Sequence, residues 1–112
     1  MSKIYKIVVS VPLDSADKIR EVLAKTGAGH IGNYDYASFS VKGIGRFRPL
    51  PGAEPTIGEI GKLEEVEEER IETVVEEEIL DEVMFQVRKN HPYEEPVIDV
   101  YSLVSPPYEG GD

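Results

Sequence analysis

Residues 62–90 read KLEEVEEERIETVVEEEILDEVMFQVRKN, and the point at which strand gives way to helix in this stretch decides the fold. Leu63, Val66, Ile71, Val74 and Val75 fit a helical face nearly as well as a strand, so periodicity alone leaves the first half open. The β-branched group Ile71, Thr73, Val74 and Val75 favours extended backbone, because branching at Cβ restricts rotamers in a helix and packs well on a pleated surface. Beyond it, Ile79, Leu80, Val83, Met84 and Val87 recur at helical spacing. Arg88 and Lys89 stand where the helix dipole favours cations, and Pro92 stops the run. The stretch predicts a strand over 64–75 and a helix over 77–90.

Working outward from this junction, Ile4, Ile7, Val8, Val9 and Val11 form a β-branched run ended by Pro12, a largely buried first strand over 3–11. Asp14 or Ser15 is placed to cap a helix over 15–25, with Ala16, Ile19, Val22 and Leu23 on one face and Gly27 and Gly29 past its end. In YDYASFSVKG, Tyr34, Tyr36, Ser38 and Ser40 alternate with Asp35, Ala37, Phe39 and Val41 in the period of a strand. The stretch 43–61, GIGRFRPLPGAEPTIGEIG, is crowded with glycine and proline and predicts a loop of about twenty residues, a length that in a compact domain is usually functional or covered. PVIDVYSLV reads as the last strand and SPPYEGGD, 105–112, as a loose tail.

The order strand, helix, strand, strand, helix, strand predicts an α+β, ferredoxin-like βαββαβ sandwich: a four-stranded antiparallel sheet with two helices on one face, as a single domain over 1–104. If Tyr34 and Tyr36 alternate onto the opposite face, that face is too apolar for a monomer, and self-association is the expected remedy.

Composition narrows the function. The 112 residues carry a formal charge of −10. Half of the acidic residues, 11 of 22, lie between Glu64 and Glu82 with one base, Arg70. A domain without a basic face is a poor partner for nucleic acid or anionic lipid, and both are set aside. The chain has no cysteine, which excludes disulfides and thiolate chemistry. No signal peptide and no apolar run long enough to span a membrane are evident, so a cytoplasmic protein is expected.

Two short motifs carry the chemistry that remains. In HPYEEP, residues 91–96, one reading gives His91 with Glu94 or Glu95 a divalent metal ion, the one cofactor the residues leave open, or a proton-transfer role. The other makes the motif a joint: His91 closes the helix, Pro92 stops it, Tyr93 packs, Pro96 forces Glu95 into extended geometry, and the acids accept backbone N–H groups. If the turn holding His30 shares an end of the sheet with this joint, a site of His30, His91 and Glu95 follows. In GIGRFRP, residues 43–49, Gly43 and Gly45 allow close backbone approach and Arg46 and Arg48 can hold an anion; Tyr93 is grouped with them as a ligand contact. Alternatively, both arginines pair with the acidic strand. No nucleophile–base constellation is evident.

Three blocks, GAGHIGNYDYASFSVKGIGRFRP (27–49), GAEPTIGEIGKLEEVEEERIET (52–73) and HPYEEPVIDVYSL (91–103), resemble the PII-like inserted domain of the NGG-one interacting factor three-like family, here as a free-standing chain. The larger halves of that family, which carry a dinuclear metal centre, have no counterpart here, so their ligands are not carried over. Ala37 stands where the family often has Cys. HPYEEP also resembles the CutA proteins. The resemblance implies the PII/CutA fold, a homotrimer whose sheets face one another, and a functional loop between the second and third strands. The phosphate-binding residues of PII are not recognisable. The leading expectation is a non-enzymatic, oligomeric regulatory domain that binds a small ligand or protein partner. The alternatives are a metal-binding or metal-dependent hydrolytic subunit using His30, His91 and Glu95, or a structural subunit docking on a dinuclear-metal protein.

Overall fold

A computed structural model describes residues 3–104; the segment read as a tail lies outside them. The elements are β1 (Ile4–Pro12), α1 (Ala16–Lys25), β2 (Phe39–Phe47), β3 (Glu64–Glu76), α2 (Glu77–Asn90) and β4 (Ile98–Ser102), with a single 3-10 turn, Leu13–Ser15, leading into α1. The strands lie in the order β2-β3-β1-β4, and each neighbouring pair is antiparallel. This is the predicted α+β ferredoxin-like sandwich. Neither Asp14 nor Ser15 caps α1 through its side chain, because the 3-10 turn takes that position.

The register sorts the side chains. Ile7 pairs with Thr73 on one side and Val100 on the other, and Val9 with Ile71 and Ile98. These residues share the face on which both helices lie. There Ile7, Val9, Val11, Ile71 and Val75 are buried against Ala16, Ile19 and Leu23 of α1 and Val83 and Val87 of α2. Fully burying an aliphatic side chain contributes about 1.5–3 kcal/mol, so this layer is the main source of stability. Arg20 of α1 donates to Asp17, to Ser40 and to Glu69 of β3; the bond to Asp17, then that to Glu69, holds its pKa above the ordinary value.

The other face has no second layer among the described residues. Phe39, Val41 and Phe47 of β2 lie on it with Val8, Val74 and Tyr101, and Glu72 pairs there with Lys6 at 3.9 Å and Arg70 at 3.0 Å. Tyr34 and Tyr36 are absent from it, a correction to their alternating pattern. β2 begins only at Phe39, since Tyr36 adopts φ +58°, which no strand residue tolerates. The strand instead runs on through Gly43 and Gly45 to Phe47, so the loop spans 48–63 rather than 43–61. Glycine is tolerated in β2 because it is an edge strand, and at Gly45 a Cβ would meet the Glu68 carboxylate, which would have to shift to admit it.

β3 is longer than β1. The last β1–β3 pair is Pro12 with Glu68, whereas β2–β3 pairing continues to Phe47 with Glu64. A two-stranded arm thus extends past the four-stranded body and carries the long loop at its tip.

Candidate functional cleft

Where the arm leaves the body, the loop folds back toward the segment joining α2 to β4, and between them lies a cleft of about 540 Å³. Its walls come from the end of β2 (Gly45 to Phe47), the loop that follows it (Arg48 to Ile57) and the distant segment Tyr93 to Val97, with Ser10 and Glu68 beneath. Phe47, Leu50, Pro55, Ile57 and Val97 make it largely apolar, while Arg46, Arg48, Glu68, Glu94 and Glu95 supply charge.

The joint that forms one wall is pinned by His91, which is only 8% exposed. Its Nε2–H donates to the Ser10 carbonyl at 2.7 Å, and its Nδ1 accepts the Tyr93 N–H at 3.1 Å. A ring that donates through one nitrogen and accepts through the other is the neutral Nε2–H tautomer. Burial lowers the His91 pKa, against the opposing pull of the Ser10 carbonyl and the Glu68 charge. With both nitrogens committed, the ring offers no lone pair to a metal ion.

Tyr93 continues the chain of contacts. Its hydroxyl donates to Glu68 at 2.7 Å, and its ring meets Phe47 edge-on at 5.8 Å and leans on His91 at 5.2 Å. Burial, then the bond to Glu68, raises the Tyr93 pKa far above its usual value, so the phenol stays a neutral donor. Two further bonds tie the loop to the joint: the Glu54 N–H donates to Glu94 at 3.1 Å, and the Thr56 hydroxyl donates to the Pro92 carbonyl at 2.7 Å.

Of the residues singled out from the sequence, Gly45, Arg46, Arg48, Tyr93, Glu94 and Glu95 line the cleft. Gly43 does not; it sits back on the sheet opposite Glu68. Arg46 pairs with Glu65 at 3.0 Å, whereas Arg48 is exposed and has no ion-pair partner among the described residues. His30 is not brought near His91, contrary to the expected shared end. His30 lies beside Ile4 and Glu76 at the start of β1, and His91 bonds Ser10 near its finish, six residues and about 20 Å along the strand. The reason is topological: α1 returns to the start of β1 before the His30 turn, whereas α2 ends at the opposite end. No group of three or more His, Asp or Glu side chains among the described residues is arranged to hold a metal ion. Sequence reading missed Glu68 and the apolar loop residues. Glu68 looks like its acidic neighbours, and a loop has no period to mark its inward side chains.

The fold and cleft define a CutA-like ferredoxin sandwich. A structure of CutA from Xylella fastidiosa aligns with TM-score 0.70 at 18% identity, covering 94% of this chain and 88% of that one. CutA from Archaeoglobus fulgidus, described as a periplasmic divalent cation tolerance protein, aligns at 0.61 and 20%, covering 92% and 86%. At such identity the likeness establishes fold alone.

Stronger sequence similarity lies elsewhere. The chain is 50% identical over 102 residues to a Halalkalibacterium halodurans protein named GTP cyclohydrolase 1 type 2 homolog, covering 91% of this chain and 27% of that protein. A Bacillus subtilis protein of the same name is 45% identical over 106 residues, covering 95% and 28%. A Bacillus cereus protein related to NIF3 superposes with TM-score 0.81 at 41% identity, over 93% of this chain and 26% of that one. The chain therefore spans little more than a quarter of the length of the curated relatives it matches. No family model matches it.

Proposed function

We propose that this chain is a non-enzymatic, oligomeric binding module of regulatory type, and that the cleft between the arm, the loop and the 91–97 joint takes a small ligand or a segment of a partner. The observation that carries this reading is the cleft itself. Its volume falls within the ~300–1,000 Å³ usual for small-molecule sites, its lining is apolar with a few polar groups, and His91 and Tyr93 fix its wall. Arg48, which lines the cleft and has no ion-pair partner among the described residues, is the group best placed to receive an anionic portion of the ligand. The apolar residues on the open sheet face support self-association, and the resemblance to CutA and PII makes a trimer the expected assembly.

Native mass spectrometry of untagged protein purified without chelator tests both parts together. A trimer carrying additional mass, lost in Tyr93→Ala at unchanged assembly, is the expected result. A bare monomer in which no retained or added small molecule raises the melting temperature would remove the reading.

A second reading has its own support. The relatives are nearly four times as long as the segment matched here, and the start of the first strand lies beside the end of the last, so the fold also suits the role of a structural module beside a larger protein. The divalent-metal reading on His30, His91 and Glu95 has no comparable support, because the two histidines stand at opposite ends of the sheet.

A further inference from the structure

The wall of the cleft depends on one ring. Pro92 keeps His91 from continuing α2, and His91 takes extended backbone, φ −80° and ψ +140°, with its imidazole on β1. The joint that follows has little backbone support of its own, because Pro92 and Pro96 carry no N–H. Its residues are half-buried or exposed. The loop and the arm are nevertheless moored on three consecutive residues of it: the Thr56 hydroxyl on the Pro92 carbonyl, Phe47 and Glu68 on Tyr93, and the Glu54 N–H on Glu94. His91 fixes the middle one, since its Nδ1 accepts the Tyr93 N–H while its Nε2–H holds the Ser10 carbonyl.

A proton on His91 acts on both attachments of Tyr93. Imidazolium carries N–H on both nitrogens, so Nδ1 can no longer accept, and two donors face each other where a 3.1 Å bond stood. The bond to Ser10 survives, because Nε2 donates in either state. The new charge also pulls on Glu68, which already acts on the ring and which receives the Tyr93 hydroxyl. Tyr93 therefore loses its backbone anchor and meets a competitor for its carboxylate in one step. The other titratable groups at this corner are Asp14 of the 3-10 turn, which acts on Tyr93, and Glu94 of the joint. β1 and α2 present carbonyls to His91, those of Ser10 and Arg88.

We infer that His91 is a proton-operated latch on the cleft: protonation of the ring frees Tyr93, releases the arm and loop from the joint and discharges the ligand, with the four-stranded body intact. The inference rests on the cleft reading for what the latch controls. The body holds because its core layer is aliphatic and does not titrate. Burial keeps the ring neutral in the closed form, and opening returns it to the ordinary range. The closed form is thus fully favoured above about 6.5 and loses ground as pH falls below it.

The chain has no cysteine, so spin labels attach only where one is introduced. Labels at Glu54→Cys, beside the loop mooring, and at Asp81→Cys, exposed on α2, give a distance by pulsed electron resonance in protein diluted with unlabelled chain. From about pH 8 to about pH 5, a narrow distance should give way to a broader one, reversibly and at unchanged far-UV circular dichroism. The open-to-closed ratio should rise by up to about tenfold per pH unit, the limit for one proton. In His91→Gln, which keeps a donor for Ser10 and does not titrate, the narrow distance should persist. A distance indifferent to pH, the same broadening in His91→Gln, or broadening only together with loss of circular dichroism would overturn the inference. If His91→Gln does not fold, ring-nitrogen NMR of His91 decides: its protonation midpoint must coincide with the midpoint of opening, and separate midpoints overturn the latch. No ligand enters the experiment, so a failed latch and a cleft that binds nothing are told apart.

Discussion

At the cleft end, order comes from side chains that reach across the sequence: His91 to Ser10, Tyr93 to Glu68 and Glu94 to Glu54. The opposite end is held by backbone groups within and beside one glycine-rich turn. The two histidines express the contrast, since His91 is a buried structural strut and His30 an exposed residue on a rigid turn. A wall built from long-range side-chain bonds can be dismantled by single substitutions or by protonation, whereas a backbone-built turn yields only where its glycine geometry is violated.

The largest expected effect is that of His91→Ala, which leaves the Ser10 carbonyl and the Tyr93 N–H without partners and opens a cavity. Urea unfolding should show a loss of about 3 kcal/mol, against no more than about 0.5 for His30→Ala; comparable losses at the two positions would erase the distinction between the ends. Next comes Gly29→Ala. At φ +80°, with the Ala37 backbone against the position of the new Cβ, it should lose at least about 2 kcal/mol, with faster amide exchange confined to the turn.

Acid probes the cleft end alone. His91 has a folded pKa below its unfolded value of about 6.5, so the unfolded chain takes up the extra proton. The stability contributed by the neutral ring is complete above that value and is lost as pH falls through it toward the folded pKa, with a slope of up to about 1.4 kcal/mol per pH unit for one proton. Subtracting the profile of His91→Ala isolates this slope; identical profiles would show that the ring is not buried neutral. Tyr93→Phe, which removes one hydrogen bond to a carboxylate, should cost about 1–2 kcal/mol in chemical denaturation. Arg46→Ala, losing an exposed ion pair, should move the unfolding midpoint by less than about 0.5 kcal/mol.

Much of the fold was legible because its strongest signals are local. In α2 the spacing of Ile79, Val83 and Val87, the basic last turn and Pro92 all agree, and the helix runs over 77–90 as the pattern predicts. β2 was legible only in part. Tyr34 and Tyr36 mimic strand alternation, but a positive φ leaves no mark on composition, and Gly43 and Gly45 read as breakers although an edge strand accepts them. The cleft was half legible. Arg46, Arg48 and Tyr93 stand out by type, whereas the role of Glu68 depends on the register that puts it beneath Tyr93, and the distance between the histidines depends on which way each helix runs.

The arm formed by Ile44–Phe47 and Glu64–Glu67 is a cantilever, fixed at the Pro12–Glu68 pair and without a β1 partner beyond it. A two-stranded ribbon is marginally stable by itself, and here its stays are Tyr93 to Glu68 and the loop bonds to Glu94 and Pro92. An occupant of the cleft would bear on the beam and on the body at once. Occupancy would then register as stiffness, carried along the beam to its loaded tip without any rearrangement of the sheet.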